Sequence, residues 1–244
     1  MPEVVIALDY PVLEDALALA EKLRGRGLWM KVGMELFTRG GPEAVCTLQN
    51  MGYAVFLDLK FHDIPNTVKG AVQSAAALGA RLTTIHLGGG AEMCKAAVLG
   101  ASASPSLMVL GVTVLTSLGP EDLAADLALY GPEYESVLQA GPVPNPAALA
   151  LNRAVAAKSW GLKGIVCSPH EIEAVKTACG NDFICLTPGI RLPGNSLQDQ
   201  KRVMTPGRAA SLGSDFLVIG RAVTAASDPE AACDQVLEDI AGVK

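Results

Sequence analysis

Eight short, apolar, β-rich segments recur along the chain, separated by stretches rich in alanine and leucine: VVIAL (4–8), WMKV (29–32), AVFLDL (54–59), LTTIHL (82–87), LMVLGVTVL (107–115), GIVC (164–167), FICLT (183–187) and FLVIG (216–220). They are nearly continuous apolar runs, which suits parallel strands covered on both faces. Apolar residues three and four apart mark helices at 12–23, 66–78, 169–179 and 228–240. Strand–helix alternation indicates an α/β architecture. Eight such units favour a closed (β/α)8 TIM barrel over an open doubly wound sheet. A chain of 244 residues suits one such domain, 1–244.

Two segments break the rhythm. Residues 119–146 are rich in Gly and Pro and read as an insertion of one or two short helices plus loop between strands five and six. The polar stretch 191–206 follows strand seven, where a barrel often places an active-site loop. No apolar run approaches the roughly 18 residues that span a bilayer, and the N-terminus shows no secretory pattern, so no membrane association is expected. The six cysteines stand singly, as expected of buried thiols in a reducing cytoplasm. A net charge of −6 argues against a nucleic-acid surface but leaves room for a basic pocket that takes a small anion.

In such a barrel the C-terminal strand ends converge on one face. Asp9 ends strand one, Lys31 lies late in strand two, and Asp58 and Lys60 end strand three. His86 ends strand four, Thr116 and Ser117 follow strand five, and Arg191 and Arg221 follow strands seven and eight. Any one of these reads equally as a solvated charge at a strand end, but strand alternation can turn Asp58 and Lys60 toward a common mouth. TPGIR (187–191) and VIGRA (218–222) put a glycine and an arginine where barrels commonly bind phosphate. The same glycines also suit plain βα turns, and GGG (88–90) reads as a turn. His86 either contacts substrate or, the favoured reading, bonds a loop carbonyl. His62 and His170 have no partner at metal-ligand spacing, and no nucleophile elbow or activated cysteine is present.

ALD (7–9), KVG (31–33), DLKFHDIPNTV (58–68), VTVLTS (112–117), TPGIR (187–191), DQKRVMTP (199–206) and VIGRAVT (218–224) occur in one order across nearly the whole chain. In that order they resemble the orotidine 5′-phosphate decarboxylases of bacterial type, whose reaction ends pyrimidine nucleotide synthesis. The resemblance implies decarboxylation of orotidine 5′-phosphate to UMP without metal or cofactor. Lys60 would be the catalytic lysine, with Asp58, Asp63 and Lys31 completing an alternating charge array. Asp9 and Lys31 would bind the ribose, Thr116 the pyrimidine edge, and Arg191, Gln200, Gly220 and Arg221 the phosphate under a loop at 191–200. It also implies a homodimer in which Asp63 and Thr67 reach the neighbouring subunit's site. Segment 119–146 departs from the family by being longer and richer in proline.

Two rivals remain open at this level. Sugar-phosphate decarboxylases and aldolases of the same wider barrel group use a divalent metal, held partly by an acid at the end of strand two. This chain has Lys31 there, and a cation repels a metal ion. The other rival is a nucleotide-phosphate binding protein without catalysis, although every charged position of the array is present.

Overall fold

A computed structural model describes residues 1–128, 131, 145–192 and 203–243. Eight parallel strands, β1 (Glu3–Ala7), β2 (Trp29–Gly33), β3 (Ala54–Phe61), β4 (Leu82–His86), β5 (Met108–Val112), β6 (Gly164–Val166), β7 (Ile184–Thr187) and β8 (Phe216–Ile219), follow the eight apolar segments. Each pairs with its neighbours in chain order, and β8 returns to β1 through Ile6 opposite Ile219, so the expected barrel closes.

Around it lie α1 (Leu13–Lys22), α2 (Met34–Asn50), α3 (Pro65–Ala77), α4 (Gly90–Ala101), α5 (Pro120–Ala128), α6 (Pro146–Ser159), α7 (Ile172–Cys179), α8 (Pro206–Ser211), α9 (Arg221–Thr224) and α10 (Pro229–Ala241). Several starts are written locally. Proline opens α3, α6, α8 and α10, where its missing N–H costs nothing. Asn145, Thr205 and Asp228 cap the last three of these through their side chains. The helical pattern at 169–179 divides into a 3-10 turn, Pro169–Glu171, closed by a Ser168–Glu171 capping box, and then α7. The periodicity of α2 is interrupted by a kink at Gly41, whose φ of 54° precedes Pro42.

Inward and outward residues alternate along the strands. Val5 and Ala7, Phe56, Leu82, Leu110, Leu186, Phe216 and Val218 fill the barrel interior, with Trp29 set edge-on to Phe216 at 5.1 Å. The opposite parity, including Val4, Ile6, Met30, Val32, Val55 and Leu57, joins the larger core beneath the helices. This alternation also carries Lys31, Asp58 and Thr84 into the barrel, one step above the apolar layer.

Three details differ from the sequence reading. The fifth strand stops at Val112 rather than 115, because Val114 packs with Leu123 and Ala150 in a small cluster of its own while Leu115 is exposed. The third strand runs on to Phe61, one residue past the Lys60 expected at its end. Cys46 is exposed where a buried thiol was expected, because the core face of α2 carries Ala44, Val45 and Leu48 and Cys46 points away from it; the other five cysteines are buried. Of the segment 119–146, α5 and the cap Asn145 are described, whereas 129–130 and 132–144 lie outside the described residues, as does 193–200 of the expected loop. Among the described residues no helix is long and apolar enough to cross a membrane.

Gly164 sits directly opposite Ile184, and a Cβ there would meet both the carbonyl oxygen and the Cβ of that residue. Gly164→Ala is therefore expected to force β6 and β7 apart at a cost of about 1–3 kcal/mol. That should appear as a melting temperature lower by about 3–10 °C in a chain of this size. An unchanged melting curve would refute the close approach.

Candidate active site

The strand parity that fills the barrel with Ala7, Phe56, Leu186 and Val218 leaves a cavity of about 480 Å³ above them, open at the C-terminal strand ends. Four charged side chains line one wall in alternating sign. Lys31 Nζ donates to Asp9 Oδ1 at 2.9 Å and lies 3.7 Å from Asp58 Oδ2, and Lys60 Nζ donates to the same Asp58 oxygen at 2.9 Å. Lys31 and Asp58 are each only 8% exposed, while Asp9 stands at the rim.

Asp58 is the centre of this chain of charges. Burial pushes its carboxyl up, but Lys31, Lys60 and hydrogen bonds from Lys60 and Thr84 together outweigh that and hold it below the usual carboxylate range. Gly33 makes the room: a Cβ there would lie 2.9 Å from Lys31 Nζ and 3.1 Å from Asp9 Oδ1. Its φ of −89° is open to any residue, so space rather than conformation calls for glycine.

Across the cavity stand Arg191 and Arg221. Arg191 is 8% exposed and donates from Nη1 to the carbonyl of Ile190, the residue that bridges to Met204. Burial, then the charge of Arg221, lower its pKa from the ordinary arginine value. Two guanidiniums that repel each other at one wall form a site an anion would relieve. Gly189 and Gly220 lie beside them. Gly189 has φ 84° and so does serve as a turn glycine, whereas Gly220 has φ −104° and opens α9, which has no side-chain cap. The turn reading therefore holds for Gly189 in TPGIR, and it leaves the anion reading open.

Thr116 lines the cavity between the two walls. Asp63 and Thr67 do not: both are exposed, and Asp63 Oδ1 accepts from the Ile64 N–H at 2.6 Å. Ser117 is also exposed and outside the lining, and Gln200 lies outside the described residues.

His86 bonds its loop in a different sense from that expected. Its Nδ1 accepts from the Gly88 N–H at 3.1 Å instead of the ring donating to a carbonyl, because the GGG stretch turns through a short 3-10 segment. The ring stacks on His62 at 5.1 Å, and burial, then His62, Arg153 and Lys60, lower its pKa, which keeps it neutral near pH 7. Cys167 also lines the cavity, but a hydrogen bond with the Cys185 thiol and then burial push its thiol well up, so it is a poor nucleophile.

Sequence reasoning passed over Thr84, which is fully buried and donates to Asp58 Oδ1 at 2.9 Å. The signal was available in LTTIH, where two adjacent threonines in an apolar strand put one hydroxyl inside the barrel. It also passed over Tyr10, whose hydroxyl donates to the Thr224 carbonyl at 3.2 Å and ties the first loop to the end of α9.

The model of the "Orotidine 5'-phosphate decarboxylase / HUMPS family" matches residues 2–236. A protein of Nitratidesulfovibrio vulgaris (strain DSM 19637 / Miyazaki F) is 49% identical over 251 residues, covering 94% of each chain. One of Maridesulfovibrio salexigens is 43% identical, covering 98% of this chain and 99% of its own. A crystal structure from Lactobacillus acidophilus superposes with a TM-score of 0.80 at 34% identity, over 98% of this chain and 99% of that one. All three bear the name orotidine 5′-phosphate decarboxylase. With a family model matched across the barrel and relatives this similar along their whole length, the chain belongs to the orotidine 5′-phosphate decarboxylase / HUMPS family.

Proposed function

We infer that the protein converts orotidine 5′-phosphate to UMP and CO2, the last step of de novo pyrimidine nucleotide synthesis. One observation carries this reading beyond family membership: the alternating Asp9–Lys31–Asp58–Lys60 wall faces two arginines across a cavity of about 480 Å³, a size suited to a nucleoside monophosphate. In this reading the phosphate lies against Arg191, Gly220 and Arg221, the ribose against Asp9 and Lys31, and the pyrimidine edge against Thr116. Gln200 is assigned to the phosphate by the sequence motif alone.

The chemistry follows from the substrate. When the bond from C6 to the carboxylate breaks, the electron pair stays on C6 in the ring plane, where the π system cannot take it up. Stabilisation must come from preorganised charge. The Lys60 ammonium, aimed by Asp58, opposes the charge that develops at C6 and then delivers the proton that makes UMP; the resulting amine regains its proton from water. Phosphate contacts far from C6 supply binding energy that holds the reacting end against the array.

Asp63 and Thr67 complete the site of a neighbouring subunit in a homodimer. Their exposure supports this role, as does the 68% exposure of Ile64 between them. A metal-dependent sugar-phosphate reaction is the nearest rival. It is disfavoured by Lys31, whose ammonium stands 3.7 Å from Asp58, the carboxylate a metal ion would need.

Purified protein with no added cofactor should consume orotidine 5′-phosphate, read by absorbance or released CO2, at the same rate with excess chelator. Loss of rate restored by magnesium would sink the metal-free reading. Lys60→Ala should lower kcat by more than about a thousandfold while UMP affinity changes by no more than about threefold, because the ammonium acts on the transition state. Parallel losses in both would argue against that role. Equal mixtures of Asp63→Ala and Lys60→Ala subunits should regain about a quarter of the wild-type rate after exchange, since each mixed dimer holds one intact site. No recovery despite proven exchange would refute the shared site.

A further inference from the structure

Thr84 is fully buried in β4, opposite Leu110 of β5. Its Oγ1 lies 2.9 Å from Asp58 Oδ1 and 3.1 Å from the backbone nitrogen of Lys60. The directions of these bonds are fixed by chemistry. An amide N–H can only donate and an ionised carboxylate can only accept, so the single hydroxyl proton goes to Asp58 and a lone pair receives the Lys60 N–H. The other Asp58 oxygen accepts from Lys60 Nζ at 2.9 Å. The resulting circuit begins and ends on one residue: Lys60 N–H to Thr84, Thr84 to Asp58, and Asp58 to the Lys60 ammonium.

Lys60 needs such a clamp. Among the described residues it is the one non-glycine with a positive φ, 50°, which an L side chain adopts only at a cost. The β3–β4 pairing shifts register between Leu57 and Phe61, and at that break the Lys60 N–H meets a side-chain hydroxyl where a regular ladder would offer a carbonyl. Neighbouring Thr83 supplies the contrast. It is equally buried, but its hydroxyl donates to the Leu57 carbonyl at 2.9 Å, a bond of the barrel wall.

We propose that Thr84 is a positioning residue for the decarboxylation, fixing both the backbone turn and the ammonium of Lys60 through one hydroxyl; this rests on the reading of Lys60 as the proton donor at C6. The groups that face Asp58 are Lys31 from β2, Lys60 from its own strand and Thr84 from β4, with Asp9 acting through Lys31. Removing the hydroxyl takes away one of the contacts that keep Asp58 ionised, so the acid limb of the rate profile moves to higher pH.

The test compares wild type, Thr84→Val, Thr84→Ser and Thr83→Val for turnover against pH, UMP affinity and melting temperature. Thr84→Val should lower kcat about 10- to 100-fold, with UMP affinity within about threefold and the acid limb raised. Thr84→Ser should restore kcat to within about threefold of wild type. Thr83→Val should lower the melting temperature and leave kcat and the pH profile in place. Thr84→Val at the wild-type rate, equal loss of rate and UMP affinity with an unmoved acid limb, or a serine variant as slow as the valine one would each overturn the proposal. Should the valine variant not fold, Thr84→Cys, similar in size and a weak donor, is expected to show the same loss of kcat, and wild-type turnover by it overturns the proposal equally. An inactive wild type would overturn the functional reading and this proposal together, whereas an active wild type matched by Thr84→Val overturns this proposal alone.

Discussion

The site depends on keeping one carboxylate ionised where burial opposes it. Asp58 is 8% exposed, and removing a charge from water costs several kcal/mol unless partners answer it. Two ammoniums and a hydroxyl do so, which is why the carboxyl sits below its ordinary range despite its burial. Each lysine is held in turn by Asp58, and Lys31 also by Asp9. No member of the array is placed independently of the others. A linked set of this kind loses little by reorganising as charge develops beside it, and preorganised charge is what a reaction with no electron sink requires.

The barrel makes that arrangement possible with few special residues. Period-two alternation sends Trp29, Phe56 and Leu82 inward and so commits Lys31, Asp58 and Thr84 to the same interior two residues further along their strands. A one-residue slip of β3 would put Asp58 beneath the helices and Leu57 in the cavity. The apolar layer therefore fixes the register of the charged wall, and the packing and the cavity's lining are specified by the same pattern.

The fold was legible because eight continuous apolar runs have few other ways to be buried. The strand-end charges were legible for the same reason, since Asp9, Lys31, Asp58 and Lys60 all follow or interrupt such runs. What escaped depended on contacts between strands. Thr84 matters only through its bonds to Asp58 and Lys60 on β3, and the accepting role of His86 depends on how Gly88 turns. Alternation alone also failed to describe Lys60. Its parity matches Asp58, yet it reaches the cavity from a left-handed residue at a register break, a feature with no marker in the amino acid itself.

That break also accounts for the division of DLKFHDIPNTV. A regular strand would have carried Phe61 and the residues after it further along the barrel wall. Instead the turn at Lys60 sends the lysine inward and the following chain outward, so that His62, Asp63, Ile64 and Thr67 are all exposed and Pro65 starts α3 four residues after Phe61. The Asp63 carboxylate takes up the Ile64 N–H and cannot turn back over so short a link into its own cavity without breaking that bond and unwinding the entry to the helix. Under the proposed assembly, the acid that completes the charge array must then come from a second chain. In that assembly, the conformation that turns Lys60 into its own cavity is the same one that would make a neighbour's acid necessary.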